Sequence, residues 1–275
     1  NGEEIQKIFF RDVTVNSNVV GFRESVPQYL DEDVQRVAEY GEIPVGDPVG
    51  GEMKTKAIEK LGVGIRVSWE QRNDNDMDAV TRELRARKNT IIRSQARDAI
   101  AAFDEAGLEE LAVGAAWDQQ DGDPAGDFLD AMELIMGAET EDGRYYEYTP
   151  DALLINPVTL NLLKRNEQVQ KLYIGNMAAE NPLFKGVAAE PLIFGGVQIV
   201  KSHFVPKGTA YLGQQQTAGF MAQREPAQVT DFYAERGDSR LGGSTMSFRS
   251  DYVHRRAFAV DAPKSVVKLT GLVTG

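Results

Sequence analysis

The glycine-rich segment at residues 46–54 is the first candidate for chemistry, because its glycines are spaced as in a phosphate-binding loop. Gly46 and Gly51 are separated by four residues, as that loop requires. The loop also needs a lysine directly after its last glycine and a helix after that. Here Glu52 and Met53 precede Lys54, and a strand pattern follows. The segment therefore predicts a turn, and we expect no phosphate site.

The acidic residues of the middle of the chain are the next candidate, as ligands for a cation. Asp118, Asp121, Asp123 and Asp127 lie close together, but they lack the alternating spacing and the closing glutamate of a calcium loop. We expect a solvated acidic loop.

Ser244 is the candidate for a nucleophile. It follows two glycines but has no glycine two positions later, so it does not match a nucleophile elbow. We expect no catalytic serine.

The remaining reactive side chains are few. The two histidines, His203 and His254, lie in strand-like segments and are interpreted as surface or partner-facing imidazoles. The chain has no cysteine, which excludes disulfides, thiolate metal sites and cysteine nucleophiles. No catalytic residue, metal or cofactor is predicted. A soluble hydrolase-like enzyme stays as a further alternative.

The charge balance bears on partners. The 275 residues include 30 lysines and arginines against 42 aspartates and glutamates, giving a net charge of −12 and a pI near 4.8. Because affinity for phosphate comes mainly from lysine and arginine, such a chain is a poor non-specific binder of nucleic acid. No run of eighteen apolar residues exists, so no membrane partner is expected.

A long helix is predicted over residues 76–106. Its apolar residues recur at helical spacings, with Asp76 and Asp78 in the first turn and Gly107 as the stop. We expect this spine helix to lie across a sheet, anchored in a packed core by Leu84, Ile91 and Phe103.

A long hairpin is predicted before that helix. Apolar and small or polar residues alternate over residues 61–69, as in a strand with one apolar face, and residues 34–45 are the expected partner strand. The segment between them is polar, so the hairpin projects. Lys54, Lys56 and Lys60 are expected to share an exposed face that meets carboxylates of a neighbouring subunit, with Arg66 as a further contact.

The other segments complete an α+β pattern. Residues 1–33 lack a sustained helical period and predict an arm that either lies on the surface or reaches a neighbouring subunit. Downstream, residues 128–136 predict a short helix, residues 152–155 a buried strand, and Asn156 the cap of a further helix. Short strands are expected at residues 246–252 and 257–260.

Three sequence segments resemble major capsid proteins of tailed bacteriophages of the Hong Kong 97 type. The first spans residues 192–213 and shares Gly195, Ser202, Pro206, Gly208, Thr209 and Ala210, although Val197 and Gln198 stand where the family often has Pro-Val. The second is the strand of residues 152–155 followed by Asn156 and Pro157. The third is the arginine-bearing stretch of residues 248–266, which ends in Pro263 and Val266.

The resemblance implies a Hong Kong 97-type fold and a division of the chain into five parts. These are an N-terminal arm (1–33), an extended loop (34–72), a peripheral domain with the spine helix (73–125), an axial domain (126–222) and the return strands of the peripheral domain (223–275).

The resemblance also implies a function. The chain would be the major capsid subunit, which self-assembles as hexamers and pentamers into an icosahedral shell around double-stranded DNA enclosed without specific binding. Expected partners are further copies of the chain, portal and scaffolding proteins, and decoration or cement proteins. The expected location is the virion, after assembly in the host cytoplasm. The alternative is an encapsulin-type nanocompartment shell with a protein cargo. The expected extended arm disfavours it, since encapsulins tend to begin with a helix.

Overall fold

The computed structural model describes residues 2–74, 76–140, 142–167, 169, 197–236 and 240–274. Over this part of the chain the fold is α+β, as the sequence predicts. The helices are α1 (Gly2–Phe9), α2 (Trp69–Asn73), α3 (Met77–Ala106), α4 (Pro124–Met136) and α5 (Pro157–Leu163). The strands are β1 (Phe10–Thr14), β2 (Val19–Arg23), β3 (Met53–Ala57), β4 (Glu59–Ser68), β5 (Glu109–Ala112), β6 (Ala152–Ile155), β7 (Gln198–Lys201), β8 (Thr209–Gly213), β9 (Gly219–Val229), β10 (Tyr233–Ala234), β11 (Ser247–Val260) and β12 (Val266–Thr270).

The strands form two five-stranded sheets and one ribbon. In the first sheet the long strand β11 pairs with β4, β9 and β10, and β1 pairs with β9 in parallel. The second sheet has the order β5-β12-β8-β6-β7. Strands β2 and β3 form the separate antiparallel ribbon.

The spine helix α3 is confirmed, and it ends at the predicted stop, Gly107; it begins at Met77, so Asp76 is its cap and does not lie in its first turn. The Asp76 carboxylate accepts a hydrogen bond from the Ala79 amide at 3.0 Å, and Gly107 closes the helix in the left-handed conformation at φ 63°. At 1.5 Å per residue its 30 residues extend about 45 Å.

The three predicted anchors of α3 differ in burial. Phe103 is 1% exposed and stacks between Phe10 and Tyr211, with ring centroids 5.1 and 5.2 Å away. Ile91 is half-buried, and Leu84 is 37% exposed. The prediction for Leu84 is therefore wrong within this chain. The physical reason is that the apolar core lies under the C-terminal half of α3, whereas its N-terminal half is held by a polar contact, from Arg87 Nη1 to Ser250 Oγ at 2.9 Å.

The N-terminal segment differs from the predicted arm. Residues 2–9 form helix α1, whose Ile5, Ile8 and Phe9 are buried in the same core as Phe103. The Gln6 amide donates to Gln95 on α3 at 3.2 Å. These apolar spacings are helical, but two turns are too short to stand out as a period. The extended-arm argument against an encapsulin therefore no longer holds.

The predicted hairpin has a different partner strand. Ribbon strand β3 pairs with β2, from Val19 opposite Ala57 to Arg23 opposite Met53, and not with residues 34–45. The predicted strand after it is present as β4, but it pairs with β11 in the first sheet. Buried Ile58 separates β3 from β4, so the chain passes from the ribbon into the sheet at that residue.

Residues 24–52 form a long excursion from the ribbon, which we call the projecting loop. It contains one isolated bridge, between Leu30 and Pro48, and no helix or extended ladder. The Asp31 amide donates to the Asp47 carbonyl at 2.9 Å, next to that bridge. The loop is thus closed near its base, and residues 32–46 extend beyond the bridge.

The second sheet has its own core, formed by α4 and α5 against its strands. Trp117, Phe128, Ile135 and Leu160 are buried there. Strand β6 and the Asn156 cap of α5 agree with the predictions, and α4 ends as predicted but begins about one turn before the predicted residue 128. Residues 192–196 of the first capsid-like phrase lie outside the described residues.

The five-part division of the chain stays a prediction, and the sheet memberships describe a different grouping. Strands β5 and β12, from the predicted peripheral and return segments, lie in the second sheet beside β6 and β8 of the predicted axial segment.

Candidate functional site

The ribbon brings together two of the predicted contact residues. Lys54 and Lys56 on β3 are directly opposite Phe22 and Val20 on β2, so all four share one half-buried face. Phe22 packs edge-on against Phe220 of the first sheet at 5.3 Å. The two lysines therefore lie on the inner face of the ribbon, and the prediction of a fully exposed lysine face is wrong.

Each of these lysines is paired with a carboxylate of the same chain. Lys54 Nζ lies 2.7 Å from Glu24, and Lys56 forms an ion pair with Glu105. The hydrogen bond to Glu24 raises the pKa of Lys54. The Glu24 amide also donates to the Glu52 carbonyl at 2.9 Å. Lys54 thus closes the base of the projecting loop.

The other two predicted contact residues lie on β4. Lys60 is exposed and forms no ion pair within the described part of the chain. Arg66 forms an ion pair with Glu235, and that hydrogen bond, with a second from Ser247, lowers the pKa of Glu235. The structure therefore does not place the four basic residues on one face.

The projecting loop carries large apolar side chains in water. Val34, Tyr40 and Ile43 are 98%, 100% and 75% exposed. Exposed apolar side chains, where they form a contiguous patch, are typical of an interaction surface. The signal in the sequence is apolar residues set among acids and turn formers without a period, which predicts neither a strand nor a core.

The acidic cluster has structural roles. Asp123 caps α4 by accepting from the Gly126 amide, and Asp127 accepts from the Trp117 indole at 2.8 Å. Burial raises the pKa of Asp127. Asp118 bonds Thr274 near the end of the chain. Among the described residues, no group of three or more potential ligands is arranged to hold a metal ion.

The two histidines differ in burial. His203 is exposed in a turn, whereas His254 on β11 is 6% exposed, so a surface or partner-facing role for His254 is wrong. Neither ring nitrogen of His254 has a hydrogen-bond partner. Burial, with a smaller contribution from the Arg256 charge, lowers its pKa from 6.5 to about 4. This imidazole is a neutral core group.

None of the helices in the described part of the chain combines the length and the hydrophobicity that crossing a bilayer requires.

Comparisons with known proteins agree with the capsid interpretation. The sequence profile of a family described as phage capsid protein matches residues 52–269. No curated protein matches the sequence.

Solved structures share the fold over nearly the whole chain. The capsid structure of the cyanophage P-SCSP1u has a TM-score of 0.66 at 11% identity, covering 96% of this chain and 86% of that chain. A structure titled Mycobacterium phage Bobi has a TM-score of 0.62 at 14% identity, covering 97% and 89%. A virus-like particle from Pyrococcus furiosus has a TM-score of 0.59 at 12% identity, covering 94% and 89%. Because the family profile spans most of the chain and the Hong Kong 97-type fold is shared throughout, the chain belongs to the phage capsid protein family and is a structural subunit of a capsid shell.

Proposed function

We propose that copies of this subunit assemble as hexamers and pentamers into an icosahedral head that encloses double-stranded DNA. The observation that carries the proposal is the projecting loop, whose apolar side chains at Val34, Tyr40, Ile43 and Val45 are exposed in the single chain. Burying each of these side chains at an interface is worth roughly 1.5–3 kcal/mol. A second copy that covers the loop supplies this burial.

The basic residues have separate tasks in this proposal. Lys54 and Lys56 orient the projecting loop through their ion pairs with Glu24 and Glu105. Arg66 ties β4 to Glu235. Lys60 is exposed without an ion pair in the described part of the chain, and it is the predicted contact residue that stays free to meet a neighbour's carboxylate.

Removal of the loop tests this assembly role. The matched variant replaces residues 31–47 by a short Gly-Ser turn and keeps Leu30 and Pro48, whose bridge closes the base. We expect the variant to fold with unchanged circular dichroism, since neither sheet uses these residues, and to form no shells by sedimentation and electron microscopy. Shells that form as readily as those of the unaltered chain would remove the loop from the interface.

The proposed contents of the shell follow from charge. A wall with a net charge of −12 per subunit repels DNA and leaves it mobile, so enclosure needs no specific binding. Portal, scaffolding and decoration or cement proteins complete the proposed partners. Assembly in the host cytoplasm and residence in the virion complete the proposed location.

An encapsulin-type shell with protein cargo is the second candidate, and the helical residues 2–9 are the observation that keeps it. The ratio of absorbance at 260 and 280 nm separates the two. Particles purified from infected cells should absorb as nucleoprotein, because DNA dominates at 260 nm. A protein-like spectrum would favour the encapsulin.

A further inference from the structure

The chain between α4 and β6 folds back on itself in residues 138–148, which we call the supporting hairpin; its residue 141 lies outside the described residues. An isolated bridge joins Glu139 to Tyr145. The hairpin belongs to neither five-stranded sheet. Pairing within a sheet therefore does not explain why the chain adopts this shape.

The supporting hairpin contacts the base of the projecting loop. The Arg144 guanidinium lies over the Tyr29 ring, with its carbon 5.6 Å from the ring centroid, which is a cation–π distance. The Tyr29 carbonyl accepts a hydrogen bond from the Val49 amide at 3.1 Å. Tyr29 also directly precedes the bridge between Leu30 and Pro48. Arg144 therefore contacts the loop where its two chains are joined.

A second contact ties the same base to the junction of the two sheets. The Tyr148 hydroxyl donates to Ser25 Oγ at 3.4 Å, and the Ser25 amide donates to the Asp261 carbonyl at 2.6 Å. Asp261 lies between β11 and β12, and its carboxylate forms an ion pair with Arg11 on β1. The base of the loop is thus connected to elements of both sheets.

The backbone of the supporting hairpin is strained at Glu147. This residue has a φ of 57°, in the left-handed region that side chains other than those of glycine, asparagine and aspartate seldom adopt. The rings of Tyr146 and Tyr148, on either side of it, stack with centroids 5.5 Å apart. Strained residues of this kind persist where the surroundings impose the conformation, and they are concentrated in functional segments.

The contact between Arg144 and Tyr29 bears on the direction of the loop more than on the stability of the fold. Tyr29 is 45% exposed, and a cation–π contact at such a site contributes little to folding. Residues 32–46 extend beyond the bridge and are mostly exposed. Because they extend so far, a small rotation at the base displaces their far end by a large distance.

We propose that the supporting hairpin is a positioning element, which fixes the direction of the projecting loop in the unassembled subunit through Arg144 and Tyr29. This inference rests on the proposed assembly function and adds how the loop is prepared to meet a partner. A segment that is already ordered loses less conformational entropy on binding. The subunit with a held loop therefore assembles at a lower concentration than one with a free loop.

A distance measurement within the unassembled, full-length subunit tests the positioning role. The chain has no cysteine, so Asp33→Cys on the loop and Asn89→Cys on α3 provide two unique, exposed sites for spin labels. Pulsed electron paramagnetic resonance should give one narrow distance distribution. Arg144→Ala and Tyr29→Ala should each at least double its width, whereas Tyr29→Phe keeps the ring and should leave it narrow. The control Tyr40→Ala removes a fully exposed tyrosine of the same loop and should change nothing.

Unfolding and assembly measurements on the unlabelled variants separate positioning from folding. Arg144→Ala should keep the urea midpoint of the unaltered chain but need at least threefold more subunit to form shells by sedimentation. Tyr29→Phe should assemble normally, as should Arg165→Ala, which removes an exposed arginine that follows α5.

Three results would overturn the positioning role. They are an unchanged distance distribution in Arg144→Ala, a lowered urea midpoint that accompanies the wider distribution, and normal assembly despite a wider distribution. Distances and midpoints as expected, with no shells from any variant or from the unaltered chain, would support the positioning of the loop and refute the assembly function alone.

Discussion

At the residue scale, the core under α3 is an aromatic cluster centred on Phe103. Phe9 meets it edge-on at 5.7 Å, and Phe10 and Tyr211 stack on it. Tyr211 is 1% exposed, and this burial raises the pKa of its hydroxyl to about 12. The cluster joins α1, β1, α3 and β8, so it couples both sheets.

Truncation of Phe103 measures that coupling. Phe103→Ala should destabilise the unassembled subunit by about 3–5 kcal/mol, because it leaves a cavity among packed rings. Leu84→Ala on the same helix should cost less than about 1 kcal/mol, because Leu84 already contacts water. Urea unfolding followed by circular dichroism compares the two. Equal losses would contradict the burial of Phe103 or the exposure of Leu84.

His254 gives the fold a pH dependence. Its pKa of about 4 in the folded chain lies below the ordinary 6.5, so the unfolded chain takes up the proton first as the pH falls. The stability associated with neutral His254 is complete above about pH 6.5 and is lost progressively toward pH 4, by up to about 3 kcal/mol.

Replacement of this imidazole checks the sign. His254→Leu should flatten the stability profile between pH 4 and 6.5 relative to the unaltered chain, without loss at pH 7.5, because neither ring nitrogen is hydrogen-bonded. Urea midpoints across this range supply the comparison. Parallel profiles for the two proteins would show that His254 does not titrate there.

At the element scale, helix ends fix how α4 and α5 meet the second sheet. Asn156 caps α5 by accepting from the Val158 amide at 2.9 Å, and its own amide donates to the Val205 carbonyl at 2.7 Å while buried. Asp123 caps α4 at an exposed site by one hydrogen bond.

The two caps should therefore differ in their effect on stability. Asn156→Ala should cost about 2–4 kcal/mol, because it removes a cap and leaves the buried Val205 carbonyl unpaired. Asp123→Ala should cost about 1 kcal/mol. Thermal unfolding of both variants measures the difference. If Asn156→Ala destabilises the protein no more than Asp123→Ala does, the hydrogen bond from Asn156 to the Val205 carbonyl does not contribute to stability.

The elements that the sequence predicts well are those with a long repeating pattern or a strong helix cap. Helix α3 was predictable because its pattern repeats over many turns between strong caps, and β6 because four apolar residues precede a capped helix. Helix α1 is too short for such a pattern. Strand β11 reads as two strands because His254, Arg255 and Arg256 interrupt its apolar residues, although it is continuous over fourteen residues.

The functional surface was partly hidden for a related reason. The carboxylate partner of Lys56 is distant in sequence, so only the fold shows that this lysine is already paired. The net charge of −12 is a total over segments of opposite charge, which partly cancel. Residues 31–47 contain six acidic residues, and residues 79–97 contain six lysines and arginines. Counting charge segment by segment exposes both.

At the scale of the whole molecule, we expect the shell to hold together without covalent links between subunits. The chain has no cysteine for disulfides. We expect cohesion to come from interfaces, which in obligate assemblies commonly bury more than about 2,000 Å².

Denaturing electrophoresis checks this form of cohesion. Particles assembled from this chain and boiled in detergent should release a single species near 30.3 kDa, the mass of this chain. A ladder of dimers and larger multimers that survives boiling would show covalent cross-links.

The purified, full-length protein viewed by electron microscopy, after expression alone or with its phage partners, tests the capsid function most directly. Closed icosahedral shells built of hexamers and pentamers are the expected result. Gel filtration should agree, with the protein eluting as particles or free capsomers. A small, discrete oligomer that never forms capsomers or shells under either condition would contradict the assignment of this chain as a capsid subunit.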